Sequence, residues 1–270
     1  MEIAPEPPQA WPTSIRGIND LPAPVKRAIY RTLIIPWVYK RYGIDPETLT
    51  QNGQPAVTMN CPAGTRAMEM SIWHQPQAED PVMYINMADT FNNQLMVLLV
   101  VVNDPESPRF PIDRDPEGRP TQLGTRRRNI PAEVAAMKAG LAPGQIREGL
   151  RAFRTAVPVF EQFVANMGHD LFLIEPLAYH NAITFERYGF SYLSGRQEME
   201  RIHREFLPGG ELHRRLDNST PFRHPDAWKT VRGRSWAIHD GILGYPFTGF
   251  QMYKRIGVHA GVCTFPDAQW

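Results

Sequence analysis

Two acidic residues stand within or beside segments whose composition is typical of β-strands. Glu69 lies inside the segment 66–74, and Asp104 directly follows the segment 94–103. A carboxylate in a sheet that is covered on both faces loses solvation, which raises its pKa and lets it accept a proton. Both residues are therefore candidate general bases, although Glu69 has the alternative of a solvated position at a sheet edge.

The sequence has 8 histidines, but their spacing gives little support for a metal site. Neither His-Glu-x-x-His nor a pair of Cys-x-x-Cys motifs, the strongest zinc signatures, is present. His224 and Asp226 have the His-x-Asp spacing of a mononuclear iron enzyme, with His239 or His259 as a third ligand. The alternative is that His224 caps a turn and Asp226 begins a short helix. We expect no bound metal, and the iron enzyme is a minority hypothesis.

The sequence does not indicate a serine or cysteine nucleophile. Gly-x-Ser-x-Gly is absent, and Cys61 stands beside Pro62 with no histidine near it in the sequence. Because 2 cysteines cannot build a disulfide framework, we expect Cys61 and Cys263 to be small structural hydrophobic residues.

Changes in the hydrophobic period predict the elements that position these residues. Short segments rich in Val, Met, Ile and Tyr, separated by Pro, Gly, Asn or Asp, predict an antiparallel meander over 56–60, 66–74, 82–88 and 94–103. Apolar residues spaced alternately by four and three, from Ile146 to Met167, predict a long helix. A strand at 170–175, a helix at 178–188 and a strand after Gly189 follow. This order predicts an α/β fold with a mixed sheet, in which the meander is followed by helix, strand, helix and strand.

Composition divides the chain into three parts. Residues 1–20 are rich in proline and predict an arm that packs through Trp11. Residues 21–195 predict one domain, interrupted by a long proline-rich loop at 104–130 that we expect at the surface, as a lid. Residues 196–270 predict a helical and aromatic extension that packs on the same domain.

One segment and the order of elements around it resemble a known superfamily. The segment reads His180-Asn181-Ala182-Ile183-Thr184-Phe185-Glu186-Arg187-Tyr188-Gly189-Phe190. It resembles GNAT-type N-acyltransferases, in which a helix with Asn and Ala near its start and Tyr-x-x-x-Gly-Phe at its end follows the fifth strand. The resemblance covers roughly residues 55–192 and implies a GNAT-like central mixed sheet with a C-terminal extension.

The resemblance also implies where acyl-CoA binds. In the family, strands four and five separate, backbone groups of the strands bind the pantetheine, and a helix N-terminus receives the pyrophosphate. Strand four corresponds to 94–103, and a helix that begins at Gln145 corresponds to the phosphate-binding helix. The family's loop, Arg or Gln-x-x-Gly-x-Gly or Ala, is replaced here by the sequence from Gly144 to Gly149. The implied cofactor-binding residues are Val100, Val102, Gly144, Gln145, Ile146, Arg147 and Asn181.

The implied reaction moves an acyl group from acetyl-CoA or another acyl-CoA to a small-molecule amine. Glu69 or Asp104 would accept the proton of the amine. The family's tyrosine, which protonates the departing thiolate, is replaced by Phe185, and Tyr188 on the same helix is the candidate substitute. Its alternative is a packing aromatic residue. The competing interpretation is a GNAT-like scaffold without catalysis that binds a ligand or assembles with other proteins.

Charge and hydropathy exclude several other classes of protein. A net charge of +1 provides no field for binding nucleic acid or an anionic membrane surface. The longest aliphatic run, Leu95–Val102, is far shorter than the ~20 residues of a membrane-spanning helix. The first residues carry acid and proline instead of the basic and apolar regions of a secretory signal. We therefore expect a cytoplasmic protein without nucleic-acid or membrane partners; the sequence indicates no oligomeric state.

Overall fold

A computed structural model describes residues 10–121 and 127–270 and confirms the mixed α/β fold. The helices are α1 (Ile15–Asn19), α2 (Ala23–Tyr30), α3 (Pro36–Tyr42), α4 (Ile130–Lys138), α5 (Phe153–Asn166), α6 (Tyr179–Arg187), α7 (Arg196–Phe206), α8 (Glu211–Arg214) and α9 (Val231–His239). Single turns of 3-10 helix span Arg31–Leu33 and Pro225–Lys229. The strands are β1 (Thr50–Gln51), β2 (Gln54–Pro55), β3 (Val57–Asn60), β4 (Ala67–Ile72), β5 (Met83–Asp89), β6 (Leu95–Val102), β7 (Leu171–Ile174), β8 (Ser191–Ser194) and β9 (Gln251–Arg255). None of the helices in the described ranges is long and apolar enough to cross a membrane.

The main sheet has the strand order β3-β4-β5-β6-β7-β9-β8. Strands β3 to β6 pair antiparallel with their chain neighbours, which confirms the predicted meander. Strand β7 pairs parallel with β6, so the chain must cross over between them, and α5 lies in that crossover. Strands β1 and β2 form a separate hairpin.

The two faces of the meander differ in polarity because successive side chains of a strand point to opposite faces. Met68, Met70 and Met87 lie on one face and are at most 3% exposed. Helix α1 is fixed at this face by Asp89, whose carboxylate accepts the backbone N–H groups of Ile15 and Arg16.

The predicted N-terminal arm is only partly confirmed. Trp11 packs edge-on against Phe163 with ring centroids 5.4 Å apart, as expected for an arm that docks through this residue. Within the proline-rich stretch, however, Ile15–Asn19 form α1. Its first turn is capped by Ser14, whose side chain accepts the N–H of Gly17.

The described chain divides into two compact units, each assembled from separate stretches of sequence. The first unit contains the described residues up to Pro105, then Gly149–Ile174 and Tyr253–Val258. The second unit contains Glu106–Glu148, Glu175–Met252 and His259–Trp270. These divisions lie at other positions than the boundaries predicted after residues 20 and 195, which stay predictions.

The described part of the loop predicted at 104–130 is largely at the surface but is anchored by one buried apolar residue, and its role as a lid stays a prediction. Ile112 is 2% exposed and belongs to a hydrophobic cluster of the second unit, against which Phe110 also packs. The other buried members of the cluster are Ala132, Ala136, Leu141, Phe222 and Trp236. Residues 122–126 of the loop lie outside the described residues.

Candidate functional site

Strand β6 continues past the end of its parallel neighbour. The two strands pair only at Met96 with Leu173 and at Val97 with Ile174, where β7 ends. Residues 98–102 of β6 therefore have no strand partner on the β7 side within the described chain. Backbone N–H and C=O groups along such an edge are free to bind an extended ligand. The predicted contact residues Val100 and Val102 lie in this edge segment.

A β-bulge interrupts the pairing of β5 with β6 at the start of the edge segment. Asn86 lies opposite Leu99, whereas Met87 lies opposite Val97. Leu98 is the extra residue of the bulge, and it is 39% exposed. A bulge bends its strand and redirects the side chains beyond it.

Helix α5 begins close to the same end of β6. A Cβ atom placed on Gly149 would lie 3.6 Å from the carbonyl oxygen of Val102. The first turn of α5 follows at Phe153, with Arg151 and Arg154 exposed beside it. The positive end of the helix dipole and the guanidinium groups favour an anion at this position.

The predicted phosphate-binding segment is not a helix N-terminus. Gly144 lies in a turn with φ +82°, and residues 145–150 are irregular. The side chain of Gln145 accepts the N–H of Ala142 at 2.7 Å, and Arg147 donates to the carbonyl of Ser107 at 2.6 Å. The assignment of Gln145 as the first residue of the helix was wrong, because this segment bonds to the second unit's own chain.

Ile146 explains why the helix was predicted too long. Its side chain packs against the hydrophobic cluster of the second unit, and its carbonyl accepts the N–H of Phe110 at 2.8 Å. It therefore continues the apolar spacing of the helix without being part of it. Arg151, with φ +52°, separates the irregular segment from α5.

Glu69 lies on an interior strand. Its strand partners are Asn60 on β3 and Asn86 on β5, so the alternative of a sheet-edge position was wrong. The residue is half-buried. The charge of Glu69 adds to burial, the larger cause, in raising the pKa of Tyr84, whereas a side-chain hydrogen bond with Asn86 opposes this shift.

Asp104 lies just beyond the unpaired end of β6, where it meets a cation. Its Oδ1 atom is 3.7 Å from Nη2 of Arg41, and the two side chains are 28% and 39% exposed. An ion pair of this kind is partly solvated and weak. The carboxylate therefore lies at the mouth of the edge segment with access to water.

Tyr188 and Asn181 belong to the second unit. Tyr188 is the half-buried residue at the end of α6, just before Gly189 with φ +81°. Phe185, at the family's tyrosine position, is buried against Phe190 with ring centroids 5.2 Å apart.

The side chain of Asn181 bonds to a buried histidine instead of facing an open site. Its Nδ2 atom is 3.2 Å from Nε2 of His180, whose Nδ1 atom is 2.9 Å from Oγ of Ser235. When the amide donates to Nε2, the imidazole proton is on Nδ1 and is donated to the serine. Both ring nitrogens of His180 therefore bond to neighbouring side chains.

His224 and Asp226, the ligands that the iron hypothesis requires, lie at the start of the 3-10 helix Pro225–Lys229. His224 Nδ1 accepts the N–H of Asp226 at 3.1 Å, which confirms the alternative of a capped turn. Asp226 pairs with Lys229 at 2.5 Å, and His239 lies 3.5 Å from Glu133. No group of three or more metal-ligating side chains occurs among residues 10–121 and 127–270.

Sequence reasoning missed four residues of this region. Arg151 and Arg154 were overlooked because the helix was predicted to begin earlier; their position on either side of Phe153, the first residue of α5, was the available signal. Tyr84 and Asn86 alternate with apolar residues along β5, and this period-2 pattern places them on the face of Glu69.

No protein-family model, curated protein or solved structure matches the chain. The fold class therefore rests on the strand pairing described above, and function has to be argued from the geometry of the site.

Proposed function

We propose that the chain is an acyltransferase-like protein that moves an acyl group from a CoA thioester to an amine. The observation that carries the proposal is the segment 98–102 of β6, whose edge extends past β7 beside the start of α5. Pantetheine is an extended chain with two amide groups, so it can pair with such an edge as an additional strand would. The GNAT resemblance of the segment 180–190 supports the same function. Cytoplasmic location is part of the proposal, and the free thiols of Cys61 and Cys263 suit a reducing compartment.

The N-terminus of α5 takes the place of the segment first predicted to bind phosphate. The positive end of its helix dipole and the side chains of Arg151 and Arg154 would bind the pyrophosphate of CoA. Gly144 to Arg147 are not part of the proposed site.

In the proposed reaction the amine attacks the thioester carbonyl. A C–N bond forms, the C–S bond breaks, and CoA leaves as the thiolate. The amine loses one proton to a carboxylate, for which Asp104 beside the edge segment and Glu69 on the sheet are the candidates. The thiolate takes up a proton, and the assignment of this step to Tyr188 stays a prediction.

Calorimetric titration with CoA and acetyl-CoA tests the binding step. We expect saturable binding that the double variant Arg151→Glu and Arg154→Glu weakens at least tenfold, because two cations near the pyrophosphate become anions. Arg27→Glu, at an arginine of α2, is the control for a single charge reversal elsewhere in the same unit and should leave the affinity unchanged. Absence of binding to the unaltered protein would remove the proposal.

Hydrogen exchange locates the ligand along the strand. The amides of 98–102 that face β7 should exchange more slowly when CoA is present, because the bound chain supplies their acceptors. Amides in β4, which already has a strand on both sides, should not change.

The competing function is a GNAT-like scaffold that binds a ligand without catalysis. Two observations favour it: Phe185 is a buried phenylalanine at the family's acid position, and Gly144 to Arg147 have no free helix end. Saturable CoA binding without acyl transfer to any of a panel of amines would support the scaffold.

A further inference from the structure

A polar row crosses the meander on the face opposite the buried methionines. Asn60, Glu69 and Asn86 lie opposite one another on β3, β4 and β5, and Leu99 continues the row on β6. Side chains at directly opposite positions lie about 5 Å apart. Tyr84 lies two residues from Asn86 on the same strand and therefore on the same face. The row ends at the bulge that begins the unpaired edge of β6.

The polar groups in this row offer acceptors without matching donors. Oδ1 of Asn86 is buried and has no hydrogen-bond partner within the described chain. The side chain of Asn86 interacts with Tyr84, and this interaction opposes the rise that burial causes in the pKa of the phenol. No Lys or Arg of the described ranges pairs with Glu69, which is half-buried and therefore reachable from solvent.

Unmatched acceptors around a carboxylate select a ligand with several N–H donors and a positive charge. The negative charge of Glu69 would repel an anion, and an apolar group would leave Oδ1 of Asn86 without a hydrogen bond. An ammonium group has three donors and no acceptor, so it satisfies both residues together with the phenol oxygen of Tyr84.

We propose that Glu69, Asn86 and Tyr84 form a binding site for a cationic ammonium group. The site lies two strand spacings, about 10 Å, from the edge of β6. The role of this site in acyl transfer rests on the proposed function. An acceptor amine would carry a second ammonium group that binds here while its reacting nitrogen lies at β6. Glu69 is then a specificity residue for the acceptor, and Asp104 is left as the proton acceptor.

Titration with cadaverine, a diamine, without CoA tests the site separately from the acyltransferase proposal. We expect saturable binding that is absent for 1,5-pentanediol, its uncharged counterpart. Glu69→Gln should weaken binding about tenfold, whereas Asn86→Asp should strengthen it because a second negative charge faces the ligand. Glu47→Gln, an exposed acid of the same unit, should have no effect.

Three results would overturn the cationic site. They are absence of cadaverine binding, equal binding of the diol, and equal affinity of the unaltered protein and Glu69→Gln. Melting temperatures of the variants show whether each is folded, and Asn86→Asp keeps the test informative if Glu69→Gln is unstable. Cadaverine binding without CoA binding would remove the acyltransferase and leave the site in place.

Discussion

His180 is a buried imidazole whose protonation opposes folding. Burial, the largest cause, and repulsion from Arg232 and His239 lower its pKa to about 3. In the unfolded chain the ordinary pKa is about 6.5, so between these values the unfolded state binds a proton that the folded state does not. The contribution of His180 to the free energy of unfolding is therefore fully present above about pH 6.5 and is lost as the pH falls toward 3.

Urea denaturation at intervals between pH 7 and pH 4.5 measures this effect. The free energy of unfolding should fall by about 1.4 kcal/mol per pH unit from His180 alone once the pH is well below 6.5. His180→Gln should reduce the slope, whereas His224→Gln, at an exposed position, should not. Equal slopes in the unaltered protein and His180→Gln would contradict the prediction.

Gly189 occupies a position where both backbone angle and space exclude a side chain. Its φ is +81°, and a Cβ atom would lie 2.8 Å from Cα of His259. Gly209 has a similar φ of +93° but nothing within 4 Å of its Cβ position. Both alanine variants have the left-handed strain of ~1 kcal/mol, and only Gly189→Ala adds a backbone clash.

Chemical denaturation of the two glycine variants separates these effects. We expect Gly209→Ala to lose ~1 kcal/mol and Gly189→Ala to lose ~2 kcal/mol or more. If Gly189→Ala lowers stability no more than Gly209→Ala does, the junction between α6 and β8 tolerates a side chain. The structure then does not require glycine in the Gly-Phe part of the resemblance.

At the scale of elements, α1 depends on a strand far away in the sequence. A helix of 5 residues does not form in isolation, but Asp89 on β5 accepts the N–H groups of Ile15 at 2.7 Å and of Arg16 at 2.9 Å. Asp89→Ala should lose ~1–3 kcal/mol, because two donors lose a charged acceptor.

Tryptic cleavage after Arg16 reports on α1 directly. Mass spectrometry of the folded protein should show faster cleavage at this bond in Asp89→Ala, and a smaller change in Ser14→Ala, which removes a single capping bond. Cleavage at the same rate in Asp89→Ala and the unaltered protein would show that this carboxylate does not hold the helix.

The same contrast between local and distant contacts explains which elements were predictable. Strands β3 to β6 have strand-forming residues and turn residues within their own segments, so the meander was predicted to within a few residues. Helix α1 was missed because its local cap, Ser14, is supplemented by the distant carboxylate of Asp89, which the local sequence does not show. The start of α5 was misplaced because Ile146 is apolar for packing against the hydrophobic cluster of the second unit, which the spacing alone does not distinguish from a helix.

The candidate site was predictable to a similar degree. Val100 and Val102 were placed on the correct strand from composition. The length of the unpaired edge depends on the register of Met96 with Leu173. The sequence pattern of apolar residues in β6 and β7 does not determine this parallel register. Arg151 and Arg154 became visible only after the helix start was known.

At the scale of the whole chain, sequence composition did not indicate how the compact units are assembled. Each unit collects stretches that are far apart in the sequence, and the proline-rich segment after Pro105 begins the second unit. Its charged residues form local pairs, such as Arg109 with Asp113 at 2.9 Å, which keeps its polar side chains satisfied while Ile112 is buried. The charged residues of the stretch therefore did not reveal that Ile112 is buried.

Ile112→Ala tests whether this segment is part of the core of the second unit. Loss of a buried isoleucine side chain should lower the free energy of unfolding by ~2–4 kcal/mol, because apolar burial is lost and a cavity is left beside Trp236. Phe91→Ala is the control, since Phe91 is 95% exposed and its loss should change stability by at most ~0.5 kcal/mol. Chemical denaturation, with tryptophan fluorescence as the signal, compares the two variants. If Ile112→Ala is as mild as Phe91→Ala, Ile112 does not anchor the segment in the core of the second unit.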